Sequence, residues 1–194
     1  MTTIIALIGP AGSGKSAAAA YLASRYGARR YSFAAPLKEI ARRTLDLTTD
    51  QVYGSQEAKE AIDPRYGFSA RWFLQRLGTE GVRAVLGADF WVEHTLRLIR
   101  EDAPALAVVD DARFPNECAR IRGHFVPSGL VWRLGPPPDR SSHDDGAHAS
   151  EQGWRDAVCD AVYMPRARGL DGLHAFVDGE CARVGISIPY HTQV

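Results

Sequence analysis

Ile4-Ile5-Ala6-Leu7-Ile8-Gly9-Pro10-Ala11-Gly12-Ser13-Gly14-Lys15-Ser16 is an apolar run that passes directly into the eight-residue pattern G-x-x-x-x-G-K-[ST] at residues 9–16. The pattern answers to what a row of phosphates requires: many hydrogen-bond donors converging on crowded negative charge, with no side chains in the way. Gly9, Gly12 and Gly14 permit backbone angles closed to other residues, so the N–H groups of the loop, those of Ala11 and Ser13 among them, can be brought against phosphate oxygens. Lys15 adds a mobile positive charge for the β and γ oxygens, and the Ser16 hydroxyl is suited to Mg²⁺. Residues 4–8 read as a strand buried on both faces. The alanine-rich residues 17–26, opening at Ala17, read as a helix. The phosphates are then expected at a helix N-terminus, where unsatisfied N–H groups and the helix dipole favour anions. A nucleoside triphosphate follows from this segment; the destination of its γ-phosphate does not.

Composition narrows the classes. A chain of 194 residues with 45% hydrophobic content can bury one sizeable core. The 23 basic and 23 acidic residues cancel, so no overall positive field exists to hold a long nucleic acid. Only three of the basic residues are lysines (Lys15, Lys38 and Lys59), which leaves many guanidinium groups for bidentate phosphate contacts. Cys118, Cys159 and Cys181 are odd in number and form no C-x-x-C pair. That usage speaks against a disulfide framework or a zinc site and for a reducing cytoplasm. The N-terminal apolar run is short, lacks a basic leader and enters the phosphate loop, so it is expected to be a core strand and not a signal peptide or membrane span.

Along the chain, short apolar runs alternate with helix-like segments and no internal repeat appears, the rhythm of a parallel α/β sheet. Further strands are expected at residues 30–33, 105–109, 130–134 and 161–164. Helices are expected at 35–45, 69–85, 90–100, from about Pro115, and at 170–184. Residues 48–68 read as a mobile excursion. With the phosphate loop, these elements predict a three-layer P-loop NTPase fold with a five-stranded parallel sheet flanked by helices.

Two further clusters carry chemistry. Val108-Val109-Asp110-Asp111-Ala112-Arg113 places carboxylates at the carboxyl end of a buried strand, the edge where ligands gather in this fold class. A carboxylate there can hold Mg²⁺ through water or accept a proton, and Arg113 can clamp a second phosphate. Alternatively, one aspartate caps the helix that begins near Pro115. In residues 71–80, Arg71 and Gln75 lie four apart and share a helix face suited to one bound group, whereas Trp72, Phe73, Leu77 and Val82 read as core.

Several segments, in this order, resemble the deoxynucleoside monophosphate kinases of tailed bacteriophages. They are residues 9–16, Tyr31-Ser32-Phe33-Ala34-Ala35-Pro36-Leu37-Lys38-Glu39, residues 74–80 with Phe90-Trp91-Val92, Asp111-Ala112-Arg113-Phe114-Pro115-Asn116-Glu117, and His148-Ala149-Ser150-Glu151. The resemblance implies a nucleoside monophosphate kinase-like domain with a core of residues 1–34 and 101–194, an acceptor-binding helical region of about 35–100 and a lid of about 135–151. It implies transfer of the γ-phosphoryl group of ATP to the 5′-phosphate of a deoxynucleoside monophosphate (dNMP), with Ser16 and Asp111 organising Mg²⁺ and with Lys15, Asp111, Arg113 and Arg133 as catalytic residues. The acceptor is expected against Phe33, Ala34, Lys38, Arg71, Gln75, Gly78, Thr79, Trp91, Arg113 and Glu117, with Phe33 or Trp91 as a stacking face. His148, Ser150 and Glu151 would join it from the lid, where Arg140 or the strand-end Arg133 would reach over the transferred group. Lid closure keeps water from taking the phosphate.

The partner expected is therefore a small nucleotide, with no long nucleic acid and no membrane, in the cytoplasm, that of the host if the chain is phage-encoded. Residues 48–68 read either as part of the acceptor site or as a homodimer contact. Residues 165–168 contain no asparagine or threonine for reading adenine, which leaves ATP against GTP open. Two other functions use the same loop: a small-metabolite kinase with a hydroxyl acceptor, such as a shikimate or gluconate kinase type, and a nucleotide-dependent ATPase switch.

Overall fold

The computed structural model describes residues 1–136, 153–165 and 169–189. In chain order the elements are β1 (Thr3–Ile8), α1 (Lys15–Tyr26), β2 (Arg29–Tyr31), α2 (Ala35–Leu45), α3 (Thr49–Tyr53), α4 (Gln56–Glu60), β3 (Ile62–Asp63), β4 (Phe68–Ser69) and α5 (Ala70–Gln75). A π-helical segment (Arg76–Arg83), α6 (Ala84–Leu86), α7 (Phe90–Asp102), β5 (Leu106–Ala112), α8 (Pro115–His124), β6 (Gly129–Leu134), a 3-10 turn (Gly153–Asp156), β7 (Ala161–Tyr163) and α9 (Asp171–Arg183) follow. They form two compact units, one of residues 1–32 and 94–194, the other of residues 33–93.

The first unit is the expected parallel sheet, in the order β2-β5-β1-β6-β7. Because every pairing is parallel, all five strands end at one edge, where a ligand can meet several of them at once. β1 is central, and its Ile4, Ile5, Ala6, Leu7 and Ile8 have no solvent exposure. Complete burial of an aliphatic side chain is worth about 2 kcal/mol, so this run anchors the sheet. Strand alternation divides it between two layers. Ile5 and Leu7 join Leu106, Val108, Trp132 and Leu134 against Ala18, Ala19 and Leu22 of α1 and Leu173, Val177 and Cys181 of α9. On the opposite face α8 packs on β1 and β6. Asp178 of α9 ties down the far end of α1, accepting hydrogen bonds from Tyr21 Oη (2.9 Å), Tyr26 Oη (2.7 Å) and Arg25 Nε (3.1 Å).

Two strand boundaries differ from expectation. β2 stops at Tyr31, and β5 runs on through both aspartates to Ala112. The extension is irregular: Ala6 pairs with Val109 but Ile8 pairs with Ala112, so two residues of β5, Asp110 and Asp111, stand against one of β1, Leu7. Neither aspartate caps α8. That role falls to Glu117, whose carboxylate accepts the N–H of Phe114 at 3.0 Å.

In the second unit, residues read from sequence as a mobile excursion hold regular structure. Thr48 and Gln51 close a reciprocal capping box on α3, and the Ser55 hydroxyl caps α4 through the Ala58 N–H. A small core of Ala41, Leu47, Val52 and Ala70 lies beneath, with Leu45, Phe73 and Leu74 against it. The β3–β4 hairpin turns on Asp63, which is 3% exposed. Its carboxylate accepts from Gln51 Nε2 (2.9 Å) and from Arg65 N (2.9 Å), Nε (3.0 Å) and Nη2 (2.7 Å). The Arg65 bonds, then that of Gln51, hold this carboxyl well below the usual aspartate range. A depressed folded pKa stabilises in full above the unfolded value near 4, and that contribution is lost as pH falls below it toward the folded value. Asp63→Asn should therefore melt below wild type at pH 7, and thermal scans of both proteins from pH 7 to pH 3 should show the gap narrowing. A gap that stays constant would mean that ionised Asp63 contributes nothing.

The helix expected at 69–85 forms as α5, the π-helical segment and α6 in unbroken succession. Trp72, read as core, is instead 48% exposed and stacks on Phe68 with Arg76 over its ring. No helix among the described residues is long and apolar enough to cross a membrane.

Candidate active site

The phosphate loop joins the end of β1 to the start of α1. Gly9, Gly12 and Gly14 all have positive φ, at 150°, 77° and 92°. A Cβ at Gly9 would stand 2.1 Å from the Leu134 carbonyl oxygen, so the loop leaves the sheet pressed against the end of β6. Gly14 occupies the N-cap of α1 in the left-handed region, and the first amide bonded to a helix carbonyl is that of Ala18, to Gly14 O at 2.9 Å. The amides of Lys15, Ser16 and Ala17 thus precede any carbonyl the helix can offer, in a first turn without acidic residues. The Lys15 ammonium donates to the carbonyls of Gly9 (2.8 Å) and Pro10 (2.7 Å), with Ser13 Oγ at 3.4 Å. Its charge is held at the loop itself. Ser16 is exposed on the first turn, while Ser13 is buried.

At the same edge of the sheet the β5 aspartates take different partners. Asp110 is paired with Arg30 of β2 at 2.5 Å. Asp111 Oδ2 accepts the Ser32 hydroxyl at 2.7 Å. Arg113 follows β5 directly, and its N–H is held by Glu117 Oε2 at 2.7 Å. Glu117, expected at the acceptor, is 1% exposed, and its carboxylate orders the turn that carries Arg113 and Phe114. Arg133, expected to reach out from the strand end, lies within β6 and pairs with Ile8 and Val162. Its Nη2 donates to the carbonyls of Arg155 (3.1 Å) and Ala157 (2.5 Å), which fastens the segment beyond Gly153 to the sheet. Gly153 rests on the backbone of Arg113 and Phe114, where a Cβ would come within 2.7 Å of the Arg113 carbonyl oxygen.

Within the second unit α2 packs on α5. Ala34 is the N-cap of α2 and Lys38 lies one turn in, its ammonium 4.7 Å from the centre of the Tyr53 ring. Arg71 Nε stands 3.5 Å from Glu60 Oε1, and Gln75 closes α5. Gly78 and Thr79 belong to the π-helical segment, a widened turn often found at functional sites. Gly78 is buried so close to Leu37 that a Cβ would meet its Cδ1 at 2.9 Å, and its carbonyl accepts the indole N–H of Trp91 at 3.1 Å. Trp91 and Phe33 are each 4% exposed, so neither offers the open ring that a stacking face needs. Burial makes Trp91 a tie between α7 and the π-helical segment. Arg140, His148, Ser150 and Glu151 lie outside the described residues, as does most of the expected lid.

Sequence reading missed Arg30 and Ser32. Ser32 sits inside a segment that carries the family resemblance, but only the pairing of β2 with β5 shows what it faces.

No protein-family model matches the chain. The structure resembles shikimate kinase from Acinetobacter baumannii in fold, with a TM-score of 0.52 at 16% identity over 96% of this chain and 97% of that one. In sequence the chain is 25% identical to the deoxynucleoside-5′-monophosphate kinase of Escherichia phage T5, over 79% of its own length and 85% of the relative's. It is 36% identical over 131 residues to a protein of Acanthamoeba polyphaga mimivirus named as a deoxynucleotide monophosphate kinase, spanning 61% of this chain and 68% of that one. With a phosphate loop at the end of its central strand and this degree of identity, the chain belongs to the deoxynucleoside monophosphate kinase family.

Proposed function

We propose that the chain moves the γ-phosphoryl group of ATP onto the 5′-phosphate of a deoxynucleoside monophosphate, giving ADP and the diphosphate. What carries the reading is the loop of residues 9–16 at the end of β1, with Lys15 held on Gly9 and Pro10, in a chain of this family. The acceptor phosphate is already anionic at neutral pH, so the protein need supply no covalent nucleophile. Its task is alignment and charge neutralisation.

In this reading the amides of residues 9–17 and the Lys15 ammonium hold the ATP phosphates. Phe33, Ala34, Lys38, Arg71, Gln75, Gly78 and Thr79 belong to the acceptor region, and Arg113 grips a phosphate. Trp91 and Glu117 act by fixing backbone, and Arg133 by fastening residues 155–157. The donor set fits Mg²⁺: the exposed Ser16 hydroxyl and the partly exposed, oriented Asp111 carboxylate are hard oxygen ligands, and Mg²⁺ commonly takes one or two of these together with substrate phosphates. When bound, the ion neutralises charge that develops on the β and γ oxygens.

The test is turnover with ATP, and with GTP, over the four deoxy and four ribo monophosphates, with shikimate and gluconate as hydroxyl acceptors. Diphosphate should form with deoxynucleotides, and ATP should be consumed only when an acceptor is present. Equal hydrolysis without acceptor would establish an ATPase, and phosphorylation of the hydroxyl compounds alone a metabolite kinase. On this reading the partner is a small nucleotide in the cytoplasm, with no long nucleic acid or membrane. Residues 48–68 serve the acceptor region or a homodimer contact, which sedimentation velocity separates.

A further inference from the structure

We infer that Ser32 is a positioning residue for this phosphoryl transfer, holding the Asp111 carboxylate in the orientation that a nucleotide-bound divalent cation requires. The inference rests on the kinase reading and deepens it.

The irregular register of β5 is its starting point. Consecutive residues of a regular strand point to opposite faces of the sheet, so two adjacent aspartates would ordinarily be divided between them. Here β5 has an extra residue against β1 between Val109 and Ala112. Such an insertion breaks the alternation and re-aims side chains, which is why bulges recur beside active sites. β2 runs alongside, with Arg30 level with Val108 and Tyr31 with Val109, and both aspartates are met from it. Arg30 takes Asp110 and Ser32, two residues on, takes Asp111.

The two contacts differ in kind. A guanidinium bound to Asp110, whose side chain is 14% exposed, commits that carboxylate's charge to the sheet. A serine hydroxyl carries no charge, so its bond to Asp111 acts on the rotation of the carboxylate and not on its charge. Ser32 lies just past the end of β2, and the same short bond links two neighbouring strands at the ligand-bearing edge.

A purely structural role would move stability; a positioning role moves cation binding and kcat. Three variants, Ser32→Ala, Ser32→Thr and Asp111→Asn, and the Ser32→Ala/Asp111→Asn pair are compared by thermal melting, steady-state kinetics and Mn²⁺ binding to the ATP complex, read by electron paramagnetic resonance. One hydrogen bond to a charged group is at stake, so Ser32→Ala should lower kcat and Mn²⁺ affinity by about tenfold, with KM for the monophosphate within about twofold. Ser32→Thr, which keeps the hydroxyl, should restore both. In the Asp111→Asn background Ser32→Ala should cost nothing more, because both act through one carboxylate. Unchanged Mn²⁺ affinity in Ser32→Ala, additive losses in the double variant, or a fallen melting temperature with no rescue of kcat by threonine would each overturn the inference. If the wild-type chain phosphorylates no monophosphate, the kinase reading fails by itself, and the Mn²⁺ titrations still decide whether Ser32 orients Asp111.

Discussion

Lys15→Ala is expected to lower kcat by at least about 10³-fold while leaving the melting temperature close to that of wild type. The size of the loss follows from where the charge stands. The ammonium is drawn onto the Gly9 and Pro10 carbonyls, so its charge stands at the loop. Charge developing on the transferred group is most stabilised by a fixed cation that need not reorganise, and alanine removes it altogether. Stability should hardly change, because these carbonyls belong to a loop that water reaches and can hydrate. Arginine should not substitute, since its planar fork does not reproduce a compact ammonium on a flexible stem. Single-turnover kinetics beside thermal melts check the claim, and turnover within tenfold of wild type would remove Lys15 from the chemistry.

Gly9→Ala should cost about 2–4 kcal/mol of stability and at least about tenfold in ATP affinity. At φ 150° a side chain is strained from the outset, and the new Cβ would lie 2.1 Å from the Leu134 carbonyl oxygen. That oxygen is backbone at the end of β6, and β6 is held in register on β1 at Leu7–Trp132 and Ile8–Arg133. Relief therefore requires the loop or the strand end to move, and the first displaces the loop amides on which the proposed phosphate contact depends. Urea unfolding and calorimetric titration with ATP measure the two consequences. A variant with both values unchanged would mean that the loop does not pack on β6 as described.

Legibility from the sequence followed the range of the interactions involved. The phosphate loop was readable because strand, glycines, lysine and helix are contiguous, and each residue's role depends on its neighbours in the chain. The parallel sheet was readable for a similar reason: β1 and β5 carry unbroken apolar runs, as strands covered on both faces must. Signals were also present where they were passed over. Thr48-x-x-Gln51 is a capping-box spacing, yet residues 48–68 read as a mobile excursion because their charges, glycines and proline mask two short helices. Trp72 and Trp91 show the limit. Both are tryptophans in helical surroundings, but one is 48% exposed and the other 4%, a difference set by packing partners elsewhere in the chain.

Sequence alone determined that a G-x-x-x-x-G-K-[ST] loop at residues 9–16 joins a buried strand of a parallel sheet to a helix N-terminus, because the glycine conformations, helix start and apolar periodicity are local properties. Tertiary structure decided that Asp110 pairs with Arg30 while Asp111 accepts the Ser32 hydroxyl, and that Arg133, Glu117 and Trp91 bond to backbone. Those assignments hang on the register of β2 and β5, on one extra residue between Val109 and Ala112, and on burial. Such features arise only when segments distant in sequence are brought together, and no spacing along the chain encodes them.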